Sequence, residues 1–164
     1  LEADAITVSP YLGFGSLEPC IPFVTEGGKG LFVLALTSNP DGPEVQHART
    51  TTGESVAATV ARHAARVNAE ISRGDEWGSV GLVVGATIGD AAARTGVELS
   101  GFNGPLLAPG FGAQGAGPAQ MAEVFGASAS RVLVSMSRSI LKTGPGVSDL
   151  MLNLDRAREE YASF

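Results

Sequence analysis

"LLAPGFGAQGAGPAQM", residues 106–121, begins as a strand-length apolar run and breaks into a loop that holds Gly110, Gly112, Gly115 and Gly117 around one uncharged polar side chain, Gln114. Glycine takes φ > 0 without strain and lets a backbone come close to a ligand, so four of them beside a strand end point to something bound there. The following "GPAQMAEVFG" (117–126) reads as a helix, so the stretch is one strand, loop and helix in succession.

The same order recurs on both sides. "DAITV" (4–8) precedes a helical "SLEPCIPFVTE" (16–26), with Ser16 as the expected N-cap. "LFVLAL" (31–36) precedes a helix over 53–73 that places Val56, Val60, Ala64, Val67 and Ile71 on one face. "VGLVVGA" (80–86) precedes "IGDAAARTG" (88–96), and "RVLVSM" (131–136) precedes a terminal helix over 147–164. Five βα units with strands apolar on both faces imply a parallel sheet covered by helices. Either an open doubly wound sheet or part of a (β/α)8 barrel satisfies this pattern.

Composition narrows the partners. With 164 residues, 44% of them hydrophobic, the chain can build one globular domain with a core. Eleven Lys+Arg against seventeen Asp+Glu give a net charge of −6, the wrong sign for neutralising nucleic-acid phosphates. No apolar run approaches the ~20 residues that span a bilayer, and residues 1–15 lack the pattern of a secretory signal, so a cytoplasmic protein is expected. Cys20 is the single cysteine, so an internal disulfide is excluded, and with His47 and His63 it does not make the spacing of a structural zinc site. It is expected to be a buried, inert thiol.

In both candidate architectures ligands sit beyond the C-terminal ends of parallel strands. The segments there are "SPYLGFG", "TSNPDG", "AT", "PGFGAQGAG" and "SRSI", where glycine, proline and polar residues gather. "GFGAQG" satisfies G-x-G-x-x-G, but a dinucleotide site needs that motif in the first unit and an acidic residue about 20 positions on, and here the next strand ends in Ser-Met-Ser-Arg. A phosphate monoester fits better. Close backbone approach at the Gly loop, with Ser137 and the permanently charged Arg138 at the end of the next strand, supplies donors and one cation. Barrels build such a site from their seventh and eighth strands.

Together, "DAITVSPYLGFGSLEP", "FVLALTSNP", "GLVVGAT", "LLAPGFGAQG" and "VSMSRSIL" closely resemble, in this order, the actinobacterial subfamily of the orotidine 5′-phosphate decarboxylases. The resemblance implies a (β/α)8 barrel that converts orotidine 5′-monophosphate to uridine 5′-monophosphate (UMP) and CO2, with no metal or organic cofactor, as a homodimer. It further implies that Ser38 reads the pyrimidine edge, that Gln114 bridges phosphate and pyrimidine, and that Arg138, with Ser137 beside it, grips the phosphate. Pro109 and Gly110 shape the loop, and Gly112 lets it fold over the ligand.

One part of the family pattern is missing from these residues. The family's chemistry rests on a lysine among aspartates in a D-x-K-x-x-D motif at the end of its third strand. Neither Lys29 nor Lys142 has that spacing. The match therefore implies family strands four to eight, with residues 1–164 forming the C-terminal part of one barrel domain and no catalytic residue among them. A complete barrel takes ~250 residues. The isolated chain is expected to be inactive and poorly soluble, and to need the N-terminal barrel portion. Two alternatives stand beside this: another phosphosugar-binding barrel enzyme, or a non-catalytic phosphate-binding half-barrel. His63 is expected on a solvated helix face, His47 in a loop, and Trp77 as a packing anchor before the third strand.

Overall fold

The computed structural model describes residues 2–72 and 77–164. Its five strands are β1 (Ala5–Val8), β2 (Gly30–Leu36), β3 (Val80–Val84), β4 (Leu106–Pro109) and β5 (Val132–Ser135). All pair in parallel, in the spatial order β1-β2-β3-β4-β5. That order decides between the two architectures. A doubly wound sheet reverses direction at a switch point, whereas strands laid down strictly in sequence build the wall of a barrel. The chain is a five-stranded partial barrel.

Register separates the two faces of this wall. Leu31, Val33, Val80, Leu82, Leu106 and Ala108 point one way and are almost fully buried. Helix α3 (Val56–Ile71) covers them with Ala57, Val60, Ala61 and Ala64, whose small side chains let helix and sheet approach closely. Truncating one of the buried leucines to alanine would cost about 3 kcal/mol. The opposite face carries Phe32, Leu34, Val83, Leu107 and Leu133. Toward β5 it opens to solvent, with Leu133 46% exposed. Among the described residues, strands β1 and β5 are unpaired on their outer sides.

The helices depart from the periodicity in instructive ways. The expected helix over 16–26 divides into a 3-10 segment (Phe14–Cys20) and α1 (Ile21–Thr25), because Pro19 and Pro22 each remove a backbone donor. Ser16 does not cap it; its hydroxyl donates to the Gly13 carbonyl at 2.7 Å. The long helix begins at Val56, with Ser55 as its N-cap accepting from Ala58 N–H at 2.9 Å and donating to the Thr95 carbonyl at 2.6 Å. It ends at Ile71, with Ser72 as an extended C-cap, and the expected end at Arg73 lies outside the described residues. The buried face is centred on Ala57, Val60, Ala61, Ala64 and Asn68, with Val56, Val67 and Ile71 at its margin.

Two one-turn helices, α2 (Gly42–Gln46) and α6 (Arg138–Leu141), follow strands β2 and β5 and are too short to leave a period in the sequence. The remaining helices among the described residues are α4 (Ala91–Thr95), α5 (Pro118–Phe125) and α7 (Val147–Tyr161), with a second 3-10 segment over Gly126–Arg131 before β5. Cys20 is half-buried rather than buried, since it lies by the open β1 edge in a cleft with Ile6, Phe23 and Lys29. Trp77 is 51% exposed rather than buried, and beside it Gly78 packs against the Asn68 side chain. His63 is half-buried, because Phe14 stacks on its ring with centroids 5.2 Å apart. No helix among the described residues is long and apolar enough to cross a membrane.

Candidate functional site

At the C-terminal end of β4, Pro109 closes the strand and its carbonyl accepts from Ala86 N–H at 2.8 Å, which ties the β4 end to that of β3. The chain then turns at Gly110, with φ of +117°, a conformation that a side chain would strain. The loop is knitted to itself. Gly112 N–H donates to Ala116, Ala116 N–H to Gly110, and Gly115 N–H to Gly112, at 2.9, 3.2 and 2.9 Å. Phe111 roots it by an edge-to-face contact with Tyr161 of α7, at 5.2 Å between ring centroids. Residues 112–115 stand exposed above this base. Gln114 folds back, with Oε1 3.7 Å from where a Cβ on Gly110 would lie.

The loop meets the next strand end through a glycine. A Cβ on Gly112 would sit 2.5 Å from Ser139 Oγ and 2.8 Å from the Met136 methyl, so only a residue without a side chain lets the loop lie against α6. Ser137 and Arg138, at the start of α6, are both exposed. Among the described residues, neither side chain has a hydrogen-bond or ion-pair partner. The Arg138 guanidinium therefore offers a permanent charge beside a backbone loop that can come close to an anion.

Ser38 sits on the same rim at the end of β2, exposed. Its neighbour Thr37 is clamped by Gln46 of α2: Thr37 N–H donates to Gln46 Oε1 at 2.9 Å, and Gln46 Nε2 donates to Thr37 Oγ1 at 2.8 Å. A Cβ on Gly85, at the end of β3, would lie 3.4 Å from Ser38 N, so the β2 and β3 ends touch. Gly112 thus lies against α6, the helix that opens with Ser137 and Arg138, while Ser38 stands three strand spacings from β5, about 14 Å at the usual separation. Such a rim offers a cation at its β5 end and a hydroxyl at its β2 end. Sequence reasoning missed Gln46, the Phe111–Tyr161 root and Asn153, whose amide bonds α6. Only Phe111, an aromatic inside a glycine loop, left any signal.

Elsewhere, a cavity of ≈ 540 Å³ opens between residues 9–15 and α3, lined by Pro10, Phe14, Gln46, Val56, Val60 and His63 among others; Ser38, Gln114, Ser137 and Arg138 do not line it. Burial, with Arg62 and Arg66 nearby, holds the His63 imidazole below its ordinary value of 6.5. Among the described residues, no cluster of three or more His, Cys, Asp or Glu could hold a metal ion.

Comparison with known proteins places these features in a family context. Residues 1–150 match the profile of the "Orotidine 5'-phosphate decarboxylase / HUMPS family". The chain is 54% identical over 157 residues to the orotidine 5′-phosphate decarboxylase of Streptomyces coelicolor, covering 95% of this chain and 54% of that protein. It is 51% identical over 156 residues to the enzyme of the same name from Salinispora arenicola, with the same coverages. Among solved structures, a Streptomyces avermitilis protein carrying that name provisionally superposes with a TM-score of 0.88 at 52% identity, over 98% of this chain and 54% of the other. The chain spans about half the length of the curated relatives it matches.

Proposed function

The chain belongs to the orotidine 5′-phosphate decarboxylase / HUMPS family, and from that premise we propose that it is the C-terminal part, residues 1–164, of one barrel domain that converts orotidine 5′-monophosphate to UMP and CO2 in the cytoplasm. Its share of the work is binding. Arg138 and Ser137 take the phosphate, Gln114 reaches from the phosphate toward the base, and Ser38 contacts the pyrimidine edge. Pro109, Gly110 and Gly112 give the loop its path. The observation that carries this reading is the apposition of Gly112 on Ser139, which brings the Gln114 loop and the Arg138 helix to one point on the rim.

Breaking the carbon–carbon bond of the substrate leaves an electron pair on the ring carbon, and a proton must be delivered there as CO2 departs. The D-x-K-x-x-D motif that serves this in the family does not occur in these 164 residues. The chain by itself therefore binds nucleotide without turning it over, and turnover requires an N-terminal barrel portion covering the open Phe32, Leu34, Leu107 and Leu133 face. The complete enzyme is a homodimer. Phosphate held about three strands away from the pyrimidine end still accelerates the reaction, because its binding energy drives loop closure and desolvation at the reacting carbon.

The test is calorimetric and enzymatic. UMP should bind this chain more tightly than uridine, and Arg138→Ala should remove roughly 2 to 3 kcal/mol of that advantage, the scale of a charge-assisted contact. No CO2 should be released from orotidine 5′-monophosphate until the N-terminal half of a relative is supplied in trans. Turnover by the chain alone would overturn the division of labour, and an Arg138→Ala variant with undiminished UMP affinity would overturn the phosphate assignment.

A further inference from the structure

Helix α6 is a single turn, and a single turn does not stabilise itself, since forming it fixes several backbone dihedrals for about one hydrogen bond. None of its residues is buried. Yet it presents Arg138 to the rim, and its Ser139 is the surface on which Gly112 rests. Something must hold it. The Ser139 and Ile140 carbonyls receive no backbone N–H among the described residues, as expected at a helix C-terminus. Asn153, on α7, supplies the missing donor: Nδ2 lies 2.5 Å from Ser139 O and 3.2 Å from Ile140 O. Thr143 Oγ1 adds a second donor to Ile140 O at 3.0 Å.

Resting on the phosphate reading above, we propose that Asn153 is a positioning residue for nucleotide recognition. It touches no ligand. Its carboxamide fixes the tilt of α6, and that tilt sets both the direction in which Arg138 leaves the helix and the seat on which the 110–116 loop closes. Sequence distance conceals the role, because Asn153 lies 15 residues beyond Arg138 in a helix that otherwise contributes apolar and surface residues.

Calorimetric titration of UMP and of uridine into the chain paired with the N-terminal half of a relative, the chain unsubstituted and as Asn153→Ala, Asn153→Asp and Asn153→Gln, separates positioning from general stability. UMP affinity should fall about tenfold in Asn153→Ala, the scale of one net hydrogen bond. It should fall further in Asn153→Asp, which keeps the size but turns a negative oxygen toward two carbonyls. Asn153→Gln, which retains the donor, should recover part of the loss, and uridine binding should be unmoved throughout. Equal losses for UMP and uridine, or UMP affinity unchanged in both Asn153→Ala and Asn153→Asp, would overturn the positioning role and leave the phosphate site standing. If the unsubstituted chain bound UMP no more tightly than uridine, the phosphate reading would fall first and this role with it.

Discussion

Two sets of polar side chains, one at each end of the sheet, are used in opposite ways. At the N-terminal end, fully buried Asn68 acts as an extra strand residue: Nδ2 donates to the Val80 carbonyl at 2.7 Å and Val80 N–H donates to Oδ1 at 2.9 Å. Gly78 and Gly104 press against it so closely that a side chain at either position would overlap its amide. Nearby, Arg131 donates to the carbonyls of Phe102, Ser100 and Leu99. At the C-terminal end, the side chains of Ser38, Gln114, Ser137 and Arg138 are exposed and have no hydrogen-bond partners among the described residues. Polar groups satisfied by one another hold the fold, whereas groups left unsatisfied on a rigid frame remain available to a ligand.

This contrast can be broken by substitution, and the largest effect belongs to the closed end. Asn68→Leu leaves the Val80 N–H and carbonyl without partners in a dry site, so urea unfolding should show a loss of about 3 kcal/mol or more. A change below about 1 kcal/mol would mean that the lock at this end contributes little. At the rim, Gly112→Ala forces a side chain into φ of +70° and onto Ser139. Here the expected stability loss is smaller, about 1 to 2 kcal/mol, and a fall in UMP affinity accompanies it. An alanine variant with wild-type affinity would show that the loop does not need its contact with α6.

Between the two ends, His63 supplies a pH dependence. Burial beneath Phe14 is the main cause of its depressed pKa, Arg62 and Arg66 add to it, and Glu54 opposes them. As pH falls below 6.5, the unfolded chain takes up this proton before the folded one does. Stability contributed by the neutral imidazole is thus complete above 6.5 and declines as pH falls toward the folded value. Thermal melts between pH 7.5 and 5 should show a decline that His63→Leu flattens; equal slopes in both proteins would remove His63 as the cause. The smallest stability effect is assigned to Arg138→Ala, within about 0.5 kcal/mol as for an exposed, unpaired side chain. A larger loss in its melting transition would erase the distinction between the two ends.

Much of this was legible in the residues. The alternation of apolar runs with helical stretches announced five βα units, and "PGFGAQG" and "SRSI" announced a polar rim beyond the strands. Other features left no trace. α2 and α6 are shorter than a helical period, and the two prolines that split the 16–26 segment sit inside an otherwise helical pattern. A polar residue at the centre of a buried face, Asn68, contradicts the apolar stripe by which such faces are recognised.

Local patterning and chemistry, which depend on neighbours within a few positions, were therefore determined by the sequence itself: the parallel α/β class, the glycine loop around Gln114, and the charge at Arg138. Strand order, the choice of a barrel wall over a doubly wound sheet, the seating of Gly112 on Ser139 and the grip of Asn153 on α6 were decided only in the tertiary structure. Each of these joins residues distant along the chain through steric fit and hydrogen-bond geometry, and such fit exists only once the strands and helices have packed.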